Sequence, residues 1–554
     1  MDTVLRIAAD YTGPQARQGP VTMGQANMAR CVLRDPPLHM NFRVTKRLPG
    51  RRSLPAVAEA LGRLLSRHEG LRATIHSGVQ VVAGSGSLSV EVHGAGTGLA
   101  DEVAEDVGLR MQGTRFDLEG ELPIRVAVIT EDGDPRLVVF VLPHTSVDAI
   151  GLATLMREWE RLIRGVAVPA PYPTQPLDLA TAEGTPASLR RTKAALRHWE
   201  NGLRRAPQSM FTVDETADAD AIRPRLRVRS APAAKALEAI ASRTGAGRSA
   251  ITLAALGILI GLWNTQRTCV IASLASNRIR PELRDYVGPL AQDALITAEL
   301  DVLTFDEAVR RFRGASLSGY QHSRFDSTAL WEVIEAVNAE RGVNFARDCV
   351  FNDMSGVTGP SPEPAPAAEV ECDWLPEASL PAHLALWANR LTEVVDLTLW
   401  IDPRVMNREQ AESFGTGLAR LLIAAGDGDV QACDITNISG ILPIERDEDW
   451  IYIDSCWVSL RAVERLVGEA VQGRPHLVTH APDGLLTCHV TSGTAEEVHA
   501  ACLALLPGRT SAMAPHRYVV HAPEPTGASP YGPVLTEGDG RRSRSQCPSR
   551  VSNQ

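Results

Sequence analysis

Residues 136–162 read RLVVFVLPHTSVDAIGLATLMREWERL, and the change of pattern inside them decides the fold class. Residues 136–142 are apolar and β-branched, the composition of a strand. From Asp148 the spacing changes: Ile150, Leu152, Leu155, Met156, Trp159 and Leu162 recur at helical intervals, so 148–162 reads as a helix. Pro143 and His144 stand at the switch, which puts His144 at a strand's end facing a cleft. Just upstream, 123–130 (PIRVAVIT) is a second strand. The Asp132-Gly133 pair between the two predicts a hairpin.

Working outward, the ordered part is expected to open at 21–30, followed by a strand at 40–44. A helix over 53–68 has Ser53 as its cap and Leu54, Val57, Leu61, Leu64 and Leu65 on one face. Short strands at 71–76 and 80–83 flank Ser77-Gly78. Downstream, Pro169, Pro171, Pro173 and Pro176 predict a stiff extended linker. Helices are expected at 188–203, 231–243, 250–263, 304–317, 328–340 and 407–424, with strands at 269–274 and 395–400. Residues 360–366 (PSPEPAP) read as a loop insertion. A small α/β segment follows residue 430, and 536–554 reads as a disordered tail. No internal repeat is evident.

With 554 residues, 44% of them hydrophobic, the chain has material for two to four domains. Its formal charge of −10 gives no global footprint for nucleic acid. The apolar run at 250–263 falls short of the ~20 residues that cross a bilayer, and the N-terminus lacks the pattern of an export signal. Nine cysteines are scattered without a CxxC pair, suggesting neither a disulfide framework nor a zinc site. The expectation is a soluble, reduced, cytoplasmic protein without bound metal and without a nucleic-acid or membrane partner.

His144 and Asp148 form an HxxxD pattern. A neutral imidazole can accept a proton from a nucleophile attacking a carbonyl, or hold that nucleophile in line. Asp148, at the start of a helix, cannot easily reach the same ring; it is expected to turn away and pair with a cation, Arg being the usual partner of a buried carboxylate. The bare pattern is weak, since about one should arise by chance in such a chain. His322 and Asp326 repeat it between two helical stretches, where a polar turn suffices. Trp159, Trp199, Trp263 and Trp331 read as packing residues, 490–494 as an ordinary turn rather than a phosphate loop, and Arg541, Arg542 and Arg544 as a solvated run.

Six segments, in order, give a stronger signal. The stretches 19–33 (GPVTMGQANMARCVL), 66–75 (SRHEGLRATI), 115–129 (RFDLEGELPIRVAVI), 141–151 (VLPHTSVDAIG), 276–296 (SNRIRPELRDYVGPLAQDALI) and 319–334 (GYQHSRFDSTALWEVI) resemble the condensation domains of nonribosomal peptide synthetases. These are relatives of chloramphenicol acetyltransferase. The resemblance implies an α/β (α+β) fold of two chloramphenicol acetyltransferase-like halves in a V-shaped pseudodimer, with a small C-terminal α/β domain. The implied division is a first half over 1–165, a linker over 166–190, a second half over 191–425, the small domain over 436–535 and the tail. A tunnel between the halves would admit two phosphopantetheine-tethered substrates.

Carried over by position, His144 is the catalytic residue, and Asp148 pairs with Arg278 as structure at the site. Ser146, Ala149, Gln25 and Asn277 are candidates for the tunnel wall. No bound cofactor is implied, because the thioester arrives already activated and positioning supplies much of the rate. Two departures stand out: Pro143 replaces the first motif His, and Ala149 replaces the motif Gly. The segments 446–467 and 504–534 are also similar to the small C-terminal subdomain of adenylation enzymes. Pro533 falls at its catalytic Lys position, so a docking or scaffold role, or a vestigial one, is expected.

Three functions stay open. The first is a free-standing acyltransferase of secondary-metabolite biosynthesis, antibiotics included. It would move a carrier-bound acyl or aminoacyl group to an amine or hydroxyl of a small-molecule nucleophile, with carrier proteins acting in trans and the chain expected to be a monomer. The second is a noncatalytic recruitment domain binding carrier proteins or tailoring enzymes. The third is an acyltransferase using coenzyme A thioesters.

Overall fold

The structure, a computed structural model, describes residues 5–170, 174–213, 222–359, 363–480, 483–523 and 531–540. Prolines 171 and 173, part of the 360–366 loop and residues 541–554, Arg541, Arg542 and Arg544 among them, therefore lie outside the described residues.

The hairpin forms where Asp132-Gly133 predicts it. Strands Arg125–Glu131 and Asp134–Pro143 pair antiparallel, and both turn residues are left-handed, with φ of 51° and 82°. These strands lie inside a five-stranded sheet in the order Leu5–Thr12, Ser85–Ala95, Arg125–Glu131, Asp134–Pro143, Asn41–Arg47. Successive side chains on a strand point to opposite faces. Val126, Val128, Val138, Phe140 and Leu142 therefore pack beneath helices Leu54–Arg67 and Ala149–Ile163. Ala127, Ile129, Leu137, Val139 and Val141 pack against helix Ala100–Gln112. With both faces covered, the strands read as unbroken apolar runs.

The second half is built on a seven-stranded sheet: Gln292–Glu299, Thr268–Ala275, Cys349–Asp353, Leu384–Leu391, Val395–Ile401, Ile222–Ser230, Glu371–Ser379. Its main core is a large cluster under helices that include Arg248–Asn264, whose residues from Ile251 onward are nearly all buried. No single helix among the described residues is long and apolar enough to cross a membrane.

A repeat invisible in the sequence appears in the topology. In the first half, Ser85–Ala95 runs parallel to Arg125–Glu131, then come antiparallel Asp134–Pro143 and antiparallel Asn41–Arg47. In the second half, Cys349–Asp353, Leu384–Leu391, Val395–Ile401 and Ile222–Ser230 repeat those orientations. In both, the strand first in sequence is last in space. A long helix follows the final strand each time, Ala149–Ile163 and Arg408–Asp427.

The small domain has a hairpin, Trp450–Ile453 with Cys456–Ser459, and a sheet ordered His476–His480, Leu486–Val490, Arg517–Pro523, Tyr531–Gly538. Helices Leu460–Ala470 and Ala495–Leu505 close its core, which also takes in Val343 from the second half.

Several expectations need correction. Strands Leu5–Thr12 and Arg17–Pro20 precede residue 21. The linker expected over 166–190 contains helix Pro176–Glu183 and the start of Pro186–Leu203; Pro176 and Pro186 stand in the first helical turn, where a missing N–H costs nothing. The tail cannot begin at 536, because the last strand runs to Gly538 and Gly540 is buried against the Ala495–Leu505 helix. Trp159, Trp199 and Trp263 are buried, whereas Trp331 is only half-buried and carries the guanidinium groups of Arg30 and Arg34 over its ring.

Candidate active site between the two halves

The strand Asp134–Pro143 ends one residue before His144, and Asp148 caps the helix beginning at Ala149 by accepting a hydrogen bond from Gly151 N at 2.8 Å. His144 is gripped from the neighbouring strand and the residue before it: its N–H donates to Met40 O at 3.0 Å, and its ring lies on Phe42 with centroids 4.2 Å apart. The residue is half-buried. Burial, and next to it His39, hold the imidazole down to about 3, so the ring is neutral at physiological pH.

Asp148 does turn away from that ring. Its Oδ1 accepts from Arg278 Nη2 at 2.5 Å, and its Oδ2 from the backbone N–H groups of Leu290 and Ala291 at 3.0 and 3.2 Å. With Gly151 that makes four donors on one buried carboxylate, three of them from the second half. Charge-assisted bonds of this kind fix geometry. Here they fasten the helix start of one half to the 278–291 loop of the other. Gly24 adds a close approach nearby, where a Cβ would stand 2.0 Å from Pro289 O.

The tunnel-wall candidates fare differently. Ser146 is 2% exposed and its hydroxyl donates back to Pro143 O. Asn277, in a left-handed conformation at φ 55°, donates to Leu290 O and Ser323 O and accepts from Ser323 Oγ. Gln25 completes a capping box with Thr22 and donates to Gln80 Oε1. All three are buried and bonded into the framework, each side chain holding backbone or a neighbouring amide. Gln25 and Thr145 border a cavity of about 10 Å³, room for a single water. Ala149, half-buried at the first helical position, is the one of the four still partly open.

The second HxxxD pattern is the polar turn its context suggests: His322 caps helix Phe305–Gln321, and Asp326 opens helix Ser327–Arg341. His68 and Arg67 both bond Glu158, at 2.9 and 2.8 Å, tying the Leu54–Arg67 helix to the helix after the His144 loop. Against burial, which pushes it up, these bonds hold Glu158 down to about 2. The sequence reading missed His39 altogether. It lies in the four-residue helix Pro37–Met40, and nothing local marks it.

Two such halves, clasped through Asp148 and Arg278 beside a loop-borne histidine, define the class of the condensation-type fold. The condensation domain family model matches residues 32–354, and the chain belongs to that family. The chain is 27% identical over 327 residues to a probable non-canonical nonribosomal peptide synthetase, CymA, of Salinispora arenicola, a match covering 54% of this chain and 4% of that protein. The chain thus spans a small part of the length of the curated relatives it matches. Among solved structures it is similar to the X-domain from teicoplanin biosynthesis, with a TM-score of 0.61 and 19% identity over 75% of this chain and 96% of that one. The complex of that X-domain with OxyB gives 0.60 and 20%, over 75% and 95%.

Proposed function

We propose that the chain is an acyl-transferring condensation domain in which His144 aligns a nucleophile against a carrier-bound thioester. The observation that supports this reading is the intact loop geometry: a neutral imidazole held on Phe42, with Asp148 clamped across the halves by Arg278. A ring held down to about 3 is a poor proton acceptor, so its role is to accept a hydrogen bond from the amine or hydroxyl and direct the lone pair. The nucleophile then attacks the acyl carbon, the C–N or C–O bond forms and the C–S bond breaks. The sulfur leaves with the bonding pair and takes up the nucleophile's proton, giving the free phosphopantetheine thiol. The carrier proteins act in trans.

The test is incubation with an acyl-loaded carrier and candidate amines or alcohols, product mass being compared between wild type and His144→Ala. Loss of product in the variant is expected; equal product from both overturns the reading. Recruitment without catalysis is the second reading. It is favoured by Pro143 and Ala149 in the motif and by the likeness to an X-domain that forms a complex with OxyB. Carrier or tailoring-enzyme binding without turnover would favour it. For the small domain we infer a scaffold role, since Pro533, exposed on the last strand, offers no amine where the adenylation-like pattern needs one.

A further inference from the structure

His39 Nδ1 lies 3.2 Å from Ser379 O. A carbonyl only accepts, so Nδ1 carries the hydrogen and the neutral ring keeps its lone pair on Nε2. The contact crosses the molecule: His39 belongs to the Pro37–Met40 helix of the first half, and Ser379 ends the edge strand of the second half's sheet. Burial keeps this imidazole below its ordinary value, with Asp35 pulling the other way and Arg347 and Arg34 adding to the lowering.

What makes the contact consequential is the chain that follows it. Met40, the next residue, accepts the His144 N–H, and Phe42, two further on, carries the His144 ring. The register Asn41↔Pro143 continues the same pairing. His144 thus stands between two cross-half links, Asp148 with Arg278 on its helix side and His39 with Ser379 on its strand side.

We propose that His39 is a positioning residue that, by fastening residues 39–42 to the second half, holds His144 in line with the space between the halves. This rests on the reading of His144 as the residue that meets the nucleophile. When the halves separate at this edge, the rail carrying Met40 O and the Phe42 ring shifts, and the imidazole moves with it. Pro143, which has neither an imidazole nor an N–H to donate, cannot supply such a link from within the motif.

Side-chain geometry provides the test. The amide of Asn can present an N–H where His39 Nδ1–H stands, whereas that of Gln reaches the Nε2 position. His39→Ala, His39→Gln and His39→Asn are compared by hydrogen exchange of peptides covering 371–380 and 140–148, and by kcat and KM with a loaded carrier. One hydrogen bond lost should speed exchange in both segments about 3- to 10-fold in the Ala and Gln variants. It should lower kcat by a similar factor with KM little changed, and Asn should restore both. Wild-type exchange in the Gln variant, or failure of Asn to differ from Ala, overturns the proposal. The exchange arm needs no turnover, so a wild-type protein that is catalytically inert would sink the acyl-transfer reading while still deciding the clasp.

Discussion

Arg278 Nη2 stands 2.5 Å from Asp148 Oδ1, 130 residues away in sequence and in the opposite half of the molecule. Both side chains are about 95% buried, at 5% and 7% exposed. A buried pair of this kind contributes little against a well-packed apolar replacement but is costly to break, because the remaining charge has no solvent. Arg278→Met should therefore lower stability by about 3–5 kcal/mol. Adding Asp148→Ala to it should cost less than the sum of the two single changes, since the orphaned carboxylate goes too. Urea midpoints of the four proteins close the cycle, and simple additivity would refute the coupling.

The second expectation concerns acid. His144 is held down to about 3 when folded, against about 6.5 for an unfolded histidine. The unfolded chain thus binds a proton that the folded one refuses. The stability this contributes is complete above pH 6.5 and falls as pH drops from there toward 3, by about 2 kcal/mol at pH 5. Replacing His144 by Gln should flatten that limb, read as a smaller difference between urea midpoints at pH 7.5 and pH 5. Glu158 opens a separate, lower window. Burial raises it, but the His68 and Arg67 bonds win and hold it down to about 2, so its contribution is intact above the ordinary carboxylate value and is lost as pH falls toward 2. An unchanged slope in the Gln variant would mean that His144 takes up protons as freely when folded as when unfolded.

Where the sequence was readable, the signal was local. Asp132-Gly133 dictated its hairpin through two left-handed residues, and Ser53 and Asp148 cap the helices they precede. The strand Ile222–Ser230 was unreadable for the opposite reason. Its sequence IRPRLRVRS alternates arginines and includes a proline, a poor description of a central strand. It is one because Arg223 meets Asp402, Arg227 meets Asp396, and Arg229 meets Glu371, partners at least 142 residues away. Likewise Ser146, Asn277 and Gln25 carry polar side chains that suit a channel wall. Only the positions of Pro143 O, Ser323 and Gln80 show them bonded into the framework. The HxxxD pair itself was legible by position, and the turn of Asp148 toward a distant arginine followed from its place at a helix start.

Gly24 gives a purely steric test of how tightly the halves close. It lies in helix Met23–Arg34, and a β-carbon there would meet Pro289 O at 2.0 Å, backbone against backbone with no flexible end to yield. Gly24→Ala should gain helix propensity, up to about 1 kcal/mol, and yet destabilise the protein, because the 288–291 loop that bonds Asp148 must move. The thermal midpoint should fall and the backbone amides of Leu290 and Ala291 should exchange faster. A rise in midpoint would show that the halves sit further apart than this contact allows.

The last prediction concerns the small domain, whose hold on the second half includes a buried junction at Gln208. Its Nε2 donates to Thr510 O and Ala512 O, both at 2.9 Å, while its Oε1 accepts from Asn344 N at 3.2 Å. Ala514 N donates to Gly342 O nearby, and Trp457 Nε1 to Thr265 O. Gln208 is 1% exposed, so truncation leaves two buried carbonyls and one amide without it. At about 1–3 kcal/mol for each buried group stranded, Gln208→Ala should release the domain before the rest of the chain unfolds. The expected signature is an early transition in thermal unfolding and faster protease cutting between residues 440 and 450, with exchange in the strands of the second half's sheet unchanged. If the small domain is a scaffold rigidly carried by the second half, that early transition marks the loss of its fixed orientation. A single transition shifted as a whole would instead mean that the domain and the half fold as one unit.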